Sequence, residues 1–568
     1  MTKLLSTIQK TVILAGIVMA AQGCKIDIEP TDRYTEEAVW SNPANMELYI
    51  NGMYSEFRTF QFGQFPIGYD NATDALTDIM KYTSTVAGNG TVNILATDAS
   101  RVNAAGPMLN YWQAGYTRIR RINEFLDGLA KYGKVDAVAK TQYEAEARFI
   151  RGYVYFWLVK LHGSVVLMEN LDQYSNKNNP RASEEDCWKF VAADFQFAAD
   201  NLPKEWDAAH TGRATKGAAL GMLSRTWLYA ASIAEYDKKQ FNQDPLTGVS
   251  AGSATTYYQN AATAAEQVIA LANEGYYALE ANFANIFTNK STREAIFKLD
   301  FVAPQITHQY DFGFTPPGDA PGQPMVYGVP TAELVDEFEM KDGTAFSWSN
   351  GTMAANPYTD REPRFYATIL YNGASWKGRT INTQPTNSVE GLVEYGSTPE
   401  PRKTVTGYYA RKMLNPLVND FMVYKSTQSW IELRYAEILL IHAEAKAKLN
   451  DLGAAATSLN TVRDRVGLPD VNPANATQMM NAIEHERIVE LAFEGHRYWD
   501  LRRWRKAHTV LNDVRFTGHK VTPAGSGFNY EVISADNLDR KFTPALYYMP
   551  IYVSELQNNT ALTQIQGW

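Results

Sequence analysis

The sequence has very little cysteine: only Cys24 and Cys187 occur in 568 residues. This excludes a disulfide framework of the kind that small secreted domains use in place of a large core. Cys187 lies at a predicted helix start, in ASEEDCWKF, where a small packing residue is the simplest interpretation. The chain does not depend on cross-links, because 45% of its residues are hydrophobic and can form a core.

The chain also lacks an excess of positive charge and a long apolar run. Its net charge is −9 and its pI is about 5.6. Binding to nucleic acid requires a basic surface that neutralises phosphates, so we expect no nucleic-acid partner. The apolar run near the N-terminus, residues 12–21, is half as long as the roughly 20 residues that a membrane-spanning helix needs.

Recognisable catalytic motifs are missing as well. The sequence has no His-Glu-x-x-His zinc motif, no Gly-Lys-Ser/Thr phosphate loop, and no nucleophile elbow between a predicted strand and a predicted helix. Hydrolysis of glycosidic bonds needs only two carboxylates at a suitable separation. Among 62 acidic residues the sequence neither selects nor excludes such a pair. A hydrolase therefore stays open as the less favoured alternative to a binding protein.

The N-terminus has the features of a bacterial lipoprotein signal. Residues 1–23 combine Lys3 and Lys10 with the short apolar run, which is typical of a signal peptide rather than an anchor. The sequence AQGC at 21–24 resembles a lipobox, although leucine is commoner than Ala21 at its first position. This predicts lipidation of Cys24 as the first residue of the mature chain, followed by a polar tether over 24–35. The alternative is ordinary secretion with a chance cysteine.

The strongest pattern in the chain is residues 483–507, IEHERIVELAFEGHRYWDLRRWRKA. Apolar residues at helical spacing predict a helix with one buried face. Gly495 predicts a bend or a close helix crossing within it. A second face carries three glutamates, with two arginines placed to compensate them: Glu486, Glu490 and Glu494, with Arg487 and Arg497.

These glutamates have two interpretations. They could form a carboxylate cluster for catalysis or for a metal, or they could belong to a buried lattice of charges that holds neighbouring helices together. A di-iron site would require Glu-x-x-His spacing on facing helices, and here His485 directly precedes Glu486. We therefore favour the structural interpretation.

The segment ERIVELAFEGHRYWDLRRW resembles the C-terminal signature of the SusD/RagB family, surface lipoproteins with which Bacteroidota capture nutrients. Other segments resemble the same family in the expected order, among them VWSNPANMELYINGMY, GRATKGAALGMLSRTWLYAA and the closing ALYYMPIYVSELQNNTALTQIQGW. The resemblance extends from the lipobox to Trp568. It implies a mainly α fold, with helical pairs of tetratricopeptide type packed against a loop-rich insertion that carries short strands.

This organisation divides the chain into a signal peptide (1–23), a tether (24–35), an N-terminal helical region (36–296), an insertion (297–424) and a C-terminal helical region (425–568). Helical periodicity predicts a first helix within 36–57 and further helices at 109–129, 142–161, 183–201, 215–235, 257–273, 431–449 and 451–466. Within the insertion, residues 364–370 predict a strand. Gly217 and Gly221 predict a close helix contact.

Two loops have the composition of a sugar-binding surface, at residues 82–93 and 310–327. Sugars present apolar C–H faces and rings of hydroxyl groups, so they favour aromatic rings combined with amide and carboxylate side chains. The resemblance implies that loops of these two regions line the ligand face. The candidate ligand residues are four aromatics with two hydroxyl partners, and one further aromatic: Tyr82, Phe312, Phe314 and Tyr327, Asn89 and Asp78, and Trp376. For each aromatic, packing beneath a long loop is the competing interpretation.

The resemblance implies a non-catalytic outer-membrane lipoprotein, exposed at the cell surface, that binds an oligosaccharide or polysaccharide and passes it to a SusC-like TonB-dependent barrel. Its only membrane attachment would be the N-terminal lipid. A helical scaffold or lid for the transporter, with a peptide or no small ligand, is the alternative, and a surface glycan hydrolase is less favoured. No cofactor is expected, although scattered Asp and Asn side chains could hold a structural calcium ion.

Overall fold

The structure is a computed structural model that describes residues 35–58, 73–83, 95–105, 109, 111–236, 244–319, 325–397, 401–419 and 425–568. The predicted signal peptide, Cys24 and Asn89 lie outside the described residues. Most of the described chain is helical. The helices are α1 (Glu36–Trp40), α2 (Pro43–Ser55), α3 (Trp112–Tyr132), α4 (Ala137–His162), α5 (Glu184–Asn201), α6 (Lys216–Ala234), α7 (Ala254–Asn273), α8 (Tyr310–Phe314), α9 (Ala332–Glu337), α10 (Gly351–Ala355), α11 (Pro363–Thr368), α12 (Tyr435–Lys448), α13 (Leu452–Asp464), α14 (Ala476–Glu490), α15 (Arg497–Arg503), α16 (Ala507–Val510) and α17 (Val553–Asn558).

The strands are short and pair only in antiparallel two-stranded ribbons within the described residues. They are β1 (Met80–Tyr82), β2 (Ala295–Leu299), β3 (Gly328–Pro330), β4 (Ile369–Leu370), β5 (Ser375–Trp376), β6 (Arg379–Thr380), β7 (Tyr409–Ala410), β8 (Trp430–Arg434), β9 (Thr517–Ala524) and β10 (Gly527–Ser534). The pairs are β1 with β3, β2 with β8, β4 with β7, β5 with β6, and β9 with β10. This confirms the mainly α fold with a few short strands.

The long helices form one continuous array. Each of α3 to α6 packs on the helix that follows it, and α7 packs on α12, which in turn packs on α13 and α14. The pairing of β2 with β8 joins the two ends of the insertion. The insertion can therefore leave and re-enter the helical array without interrupting it.

Local capping explains where the helices begin and end. The Asp136 carboxylate accepts a hydrogen bond from the Ala139 amide at 2.9 Å and caps the start of α4. At the other end of α4, Gly163 adopts φ +71°, a conformation that glycine adopts without strain. The predicted first helix is split into α1 and α2, because Asn42 caps a new helix that begins at Pro43.

Three predictions about local structure need correction. Residues 483–507 do not form one helix: α14 ends at Glu490, and a turn containing Phe493 (φ +65°) and Gly495 (φ +77°) leads into α15. The bend predicted at Gly495 is confirmed. Of the strand predicted at 364–370, only Ile369–Leu370 forms one, β4, while residues 363–368 form helix α11 with Pro363 at its first position. Residues 431–434 belong to strand β8, because tertiary pairing with β2 overrides their helical pattern.

The two glycines of α6 allow close packing, and at Gly221 this includes helix α12, because a Cβ there would lie 3.2 Å from Cδ1 of Ile438. A Cβ atom on Gly221 would lie 2.2 Å from Cδ2 of Leu433 on β8, and one on Gly217 would lie 2.1 Å from the hydroxyl of Tyr277. The close approach predicted for this helix therefore exists, and it seats the β2–β8 ribbon against the array. None of the helices among the described residues is apolar and long enough to cross a bilayer.

Candidate functional site

The ribbon of β1 and β3 brings the two predicted ligand loops together. Met80 pairs with Pro330, and Tyr82 pairs with Gly328. Beyond the paired residues, the Thr83 amide donates a 3.0 Å hydrogen bond to the Tyr327 carbonyl. Two chain segments that are almost 250 residues apart in sequence therefore lie side by side, where one predicted ligand loop begins and the other ends.

At the end of this ribbon two tyrosine rings stack on each other. The rings of Tyr82 and Tyr327 are nearly parallel, at 9°, with their centroids 6.1 Å apart. Tyr82 is the inner ring and is buried, whereas Tyr327 is only half-buried. The Tyr327 amide donates a 2.6 Å hydrogen bond to the Gly313 carbonyl of α8. A Cβ on Gly313 would lie 2.8 Å from the Tyr327 ring, so a glycine is required where the ring crosses the helix.

Burial separates the predicted stacking residues into two groups. A sugar can stack only on a ring whose face reaches solvent, and Tyr327 and Phe312 are the candidates that are half-buried. Tyr82 and Phe314 are buried, and Phe314 stacks on Tyr310 with centroids 4.5 Å apart. Both rings therefore expose little surface to a ligand in this structure, and Tyr82 lies beneath the ring of Tyr327.

Trp376 does not belong to this group. It lies on the β5–β6 hairpin of the insertion and is 4% exposed. Its indole N–H donates a 2.8 Å hydrogen bond to the Asp319 carboxylate, and the Arg411 guanidinium lies 5.5 Å from the centre of its ring. These contacts are those of a packing residue, because the side chain is buried and its indole N–H is already paired.

Asp78 is already committed to another side chain. Both of its carboxylate oxygens accept hydrogen bonds from Arg497, at 2.9 and 2.6 Å. Such a bidentate pair leaves little capacity for sugar hydroxyls. The predicted hydroxyl partner is therefore a clamp that fixes the start of β1 to α15. The same pair corrects the prediction that Arg497 compensates the glutamates of the signature segment.

Further residues that the sequence analysis missed hold the base of the ribbon. Lys81 is buried and pairs with Asp536 at 2.7 Å, while Arg540 donates a 2.9 Å hydrogen bond to the Ala75 carbonyl. Burial lowers the pKa of Lys81 to about 8, although Asp536 opposes this shift. A lysine within a buried strand was the only signal in the sequence, and it did not identify a partner more than 450 residues away.

Asp74 contributes a different contact at the same base. One of its oxygens accepts a 2.9 Å hydrogen bond from the Gly495 amide, so the turn between α14 and α15 touches the segment that precedes β1. Asp74 is 1% exposed. Burial raises its pKa to about 7, and the neighbouring hydrogen bond and Lys412 only partly oppose this shift.

The signature glutamates form a buried lattice with cations from other parts of the chain. Arg434 contacts Glu490 at 2.6 Å and Glu494 at 2.6 and 2.7 Å. Arg364 of α11 contacts Glu490 at 2.9 Å and also contacts Glu486. The remaining members of this lattice are Arg463, Arg465, Lys412, Glu294 and Glu362. It therefore connects the insertion, one end of the β2–β8 ribbon and the C-terminal helices.

The prediction that Arg487 compensates these glutamates is wrong. Arg487 pairs with Asp500 across the turn, at 2.8 and 3.0 Å. Glu490 and Glu494 also lack the character of a general acid, which requires a raised pKa, because the pKa of each is lowered. Although burial alone would raise it, the guanidiniums of Arg465, Arg434 and Arg364 hold the pKa of Glu490 well below its usual value. The structural interpretation of this cluster fits these contacts.

Two further kinds of chemical site are absent from the described residues. Residues 248–252 spell Gly-x-Ser-x-Gly, but Ser250 follows a turn and precedes α7 without a preceding strand, and its amide donates a 3.3 Å hydrogen bond to Glu185. This is not the strand–turn–helix geometry of a nucleophile elbow. Among the described residues, His, Cys, Asp and Glu side chains do not gather in groups of three or more that could hold a metal ion.

Two family models match this chain, one in its C-terminal part and one in its N-terminal part. Residues 283–568 match the model of the SusD family, and residues 34–228 match a model described as "Starch-binding associating with outer membrane". Among curated proteins, a SusD-like protein P2 of Formosa agariphila is 24% identical over 521 residues, covering 87% of this chain and 90% of that protein. A SusD-like protein of Bacteroides ovatus is 27% identical over 228 residues, 39% of each chain.

Solved structures agree with this assignment. A SusD-like protein of Bacteroides fragilis superposes with a TM-score of 0.74 at 26% identity, covering 93% of this chain and 98% of its own. A SusD-like carbohydrate-binding protein of the same species gives the same TM-score and identity, with coverages of 92% and 100%. A laminarin-binding SusD-like protein shares the fold at 20% identity, with a TM-score of 0.64.

Proposed function

We propose that this chain, which belongs to the SusD family, is a non-catalytic glycan-binding lipoprotein of the outer-membrane surface. The observation that carries the proposal is the β1–β3 ribbon. The ribbon and the neighbouring helix α8, which the Tyr327 amide joins through Gly313, carry the half-buried rings of Tyr327 and Phe312 near the two loops whose composition suits a sugar. An aromatic ring offers a flat apolar face to sugar C–H groups at little conformational cost.

The support beneath these rings favours binding. Tyr82 stacks under Tyr327, and the Asp78–Arg497 pair with the Lys81–Asp536 pair holds β1 to the C-terminal region. A platform that is rigid before the ligand arrives loses little entropy on binding. Loops on such a rigid scaffold can change specificity without changing the fold.

Delivery to a SusC-like TonB-dependent barrel is the second part of the proposal. A lipid on Cys24 and contact with the barrel would hold the body at the membrane, and hinge motion would pass bound glycan to the pore. Confinement raises the effective concentration of ligand near the barrel, so individual sugar contacts can be weak. The rival scaffold function predicts that the loop aromatics affect stability alone, and the rival hydrolase function predicts product release.

The test is a binding screen of the soluble chain, begun after Cys24, against an array of plant, algal, fungal and host glycans, followed by calorimetry. We expect Tyr327→Ala and Phe312→Ala each to weaken binding about tenfold, equivalent to about 1.4 kcal/mol. Tyr276→Ala, which replaces another half-buried tyrosine, should leave binding unchanged. Incubation with the bound glycan should release no shorter products.

Two results would reject parts of this proposal. Release of products that one carboxylate substitution abolishes would identify a hydrolase. Silence across the array, with both loop variants folded, would favour the scaffold. Recovery of a membrane barrel with the full-length lipoprotein tests the delivery step separately, because it does not require a known glycan.

A further inference from the structure

Apart from the ribbon site, the protein has a groove between the start of α3, the loop at 166–179 and the C-terminal segment around α17. Its volume is about 600 Å³, which is within the range of small-molecule sites. Its lining includes Trp112, Tyr116, Tyr174 and several amide side chains. None of its lining residues belongs to β1, β3 or α8. It is therefore a separate candidate site, outside the ribbon described above.

One wall of the groove is aromatic and fixed in place. The rings of Trp112 and Tyr116 lie 5.1 Å apart, centroid to centroid. The Tyr116 hydroxyl donates a 2.8 Å hydrogen bond to the Val166 carbonyl and accepts one of 2.8 Å from its amide. Tyr116 and Tyr174 are both half-buried. Two hydrogen bonds hold the Tyr116 ring in place, and part of this ring reaches solvent. The Arg120 guanidinium lies 5.5 Å from the centre of the Tyr174 ring, so a cation lies over one part of the wall.

The opposite side is held to the rest of the protein by hydrogen bonds between side chains and backbone groups. The Asn559 side-chain amide donates to the Asn179 carbonyl at 2.8 Å, and the Thr560 backbone amide donates to the Asn178 side chain at 2.9 Å. The Asn179 side chain in turn donates to the Asn176 carbonyl at 2.7 Å. These contacts join the C-terminal segment to the loop, so the groove keeps its shape without a ligand.

The rim of the groove carries polar side chains whose hydrogen-bonding capacity is not used by other described residues. Within the part of the chain that the structure describes, Gln113, Lys177, Glu555 and Asn558 form no side-chain hydrogen bond or ion pair, although all four line the groove. Glu555 is half-buried, and burial raises its pKa. A carboxylate that is partly withdrawn from water gains most from a new hydrogen-bond donor.

We propose that this groove is a second saccharide-binding site, in which sugar units lie on the Tyr116–Tyr174 wall while Glu555 accepts hydrogen bonds from neighbouring hydroxyl groups. Gln113 and Asn558 supply amide donors and acceptors for the remaining hydroxyls. Apolar ring surface facing a rim of unpaired amides and a carboxylate matches the two kinds of surface on a sugar. The proposal rests on the proposed function, since it takes the ligand to be a glycan.

Two sites on one chain have a measurable consequence. When a long glycan is bound at one site, its binding at the other site is an intramolecular step. A glycan that reaches both sites therefore binds with a higher affinity than a short oligosaccharide. Short oligosaccharides should occupy the two sites independently. Loss of the groove should therefore affect polymer affinity and oligosaccharide stoichiometry together.

The experiment uses the glycan that the array identifies, as a short oligosaccharide and as its polymer. Calorimetry should give two oligosaccharides per chain for the wild type and one for the variant Tyr174→Ala/Glu555→Gln. The same variant should lose about tenfold in polymer affinity, a change of about 1.4 kcal/mol. Gln113→Ala/Asn558→Ala changes two exposed side chains and provides a second variant in which folding is not at risk. It should also weaken polymer binding.

The control is Tyr276→Ala/Glu531→Gln, which makes the same substitutions outside both sites and should behave as wild type. One oligosaccharide per chain in the wild type, with unchanged polymer affinity in both groove variants, would overturn the inference while leaving the proposed function intact. If no glycan on the array binds the wild type, both fail. Weaker binding in Tyr327→Ala with no effect in the groove variants would leave the ribbon as the one supported site.

Discussion

Replacing Arg434 by methionine should remove the centre of the buried lattice while keeping the length of the side chain. Arg434 is 1% exposed and donates five hydrogen bonds, to the carboxylates of Glu294, Glu490 and Glu494 and to the Glu490 carbonyl. Methionine fills much of the same volume, so the cost comes from the carboxylates that stay buried.

The size of the expected loss of stability depends on which cation partners each carboxylate retains in Arg434→Met. Glu490 retains Arg364 and Arg465, and Glu494 retains Lys412. Since none is left without a cation, the loss should equal that of one broken buried pair, about 3–5 kcal/mol, rather than the sum of several. That is a large part of the roughly 5–15 kcal/mol by which most proteins are stable.

Urea unfolding followed by the helical circular dichroism signal measures this loss. Arg515→Met is the matched control, because Arg515 pairs with Asp539 at 2.6 Å while both side chains are about half exposed, 49% and 47%. Such a pair should contribute at most about 1 kcal/mol. The double variant Arg434→Met/Glu494→Gln should recover part of the loss, since it removes a charge that Arg434 no longer pairs. A loss in Arg434→Met equal to that of the control would refute the argument.

Three further predictions concern pH, packing and the membrane. Burial raises the pKa of Asp74 from 3.8 to about 7, so the ionised carboxylate costs the folded state more stability as the pH rises from about 4 to 7. The stabilisation gained by Asp74→Asn should therefore grow over that interval and then level off. A difference in unfolding free energy that does not change with pH would contradict this. Gly221→Ala should destabilise the protein by about 1–3 kcal/mol, since its Cβ would overlap a leucine on β8. Gly453 has open space around it in α13, so Gly453→Ala should stabilise the protein by up to about 1 kcal/mol. Equal effects of the two substitutions in thermal unfolding would contradict the packing argument. Cys24→Ser should move the protein from the membrane fraction to the soluble fraction of cells, and the control Cys187→Ser should stay with the membrane; retention of both would disprove lipid anchoring at Cys24.

Much of the helical architecture could be predicted from the sequence, because amphipathic periodicity is a local property. The predicted helix at 183–201 corresponds to α5, and the one at 215–235 to α6. The errors occur where long-range contacts compete with local preference. Residues 431–434 are drawn into β8 by their partner strand β2, and residues 363–368 become helical behind Pro363.

The candidate site could be predicted only in outline. Composition selected the two loops, and the resemblance to SusD-like proteins placed them on one face. Which ring would be outermost depended on the stacking of Tyr82 beneath Tyr327, a contact between residues far apart in sequence. The groove at Tyr174 and Glu555 was not found, because it is assembled from three separate segments whose individual sequences carry no sugar-binding pattern.

By itself the sequence determined the class of protein, the positions of most long helices and the bend at Gly495, since these depend on neighbouring residues and on the intrinsic freedom of glycine. Tertiary structure alone decided which charges pair. Glu490 is neutralised by Arg364, Arg434 and Arg465 rather than by its neighbour Arg487, because a buried carboxylate needs cations that approach from every side. The helix that carries the carboxylate can supply cations on one face alone. The other cations come from segments that only the folded chain brings near.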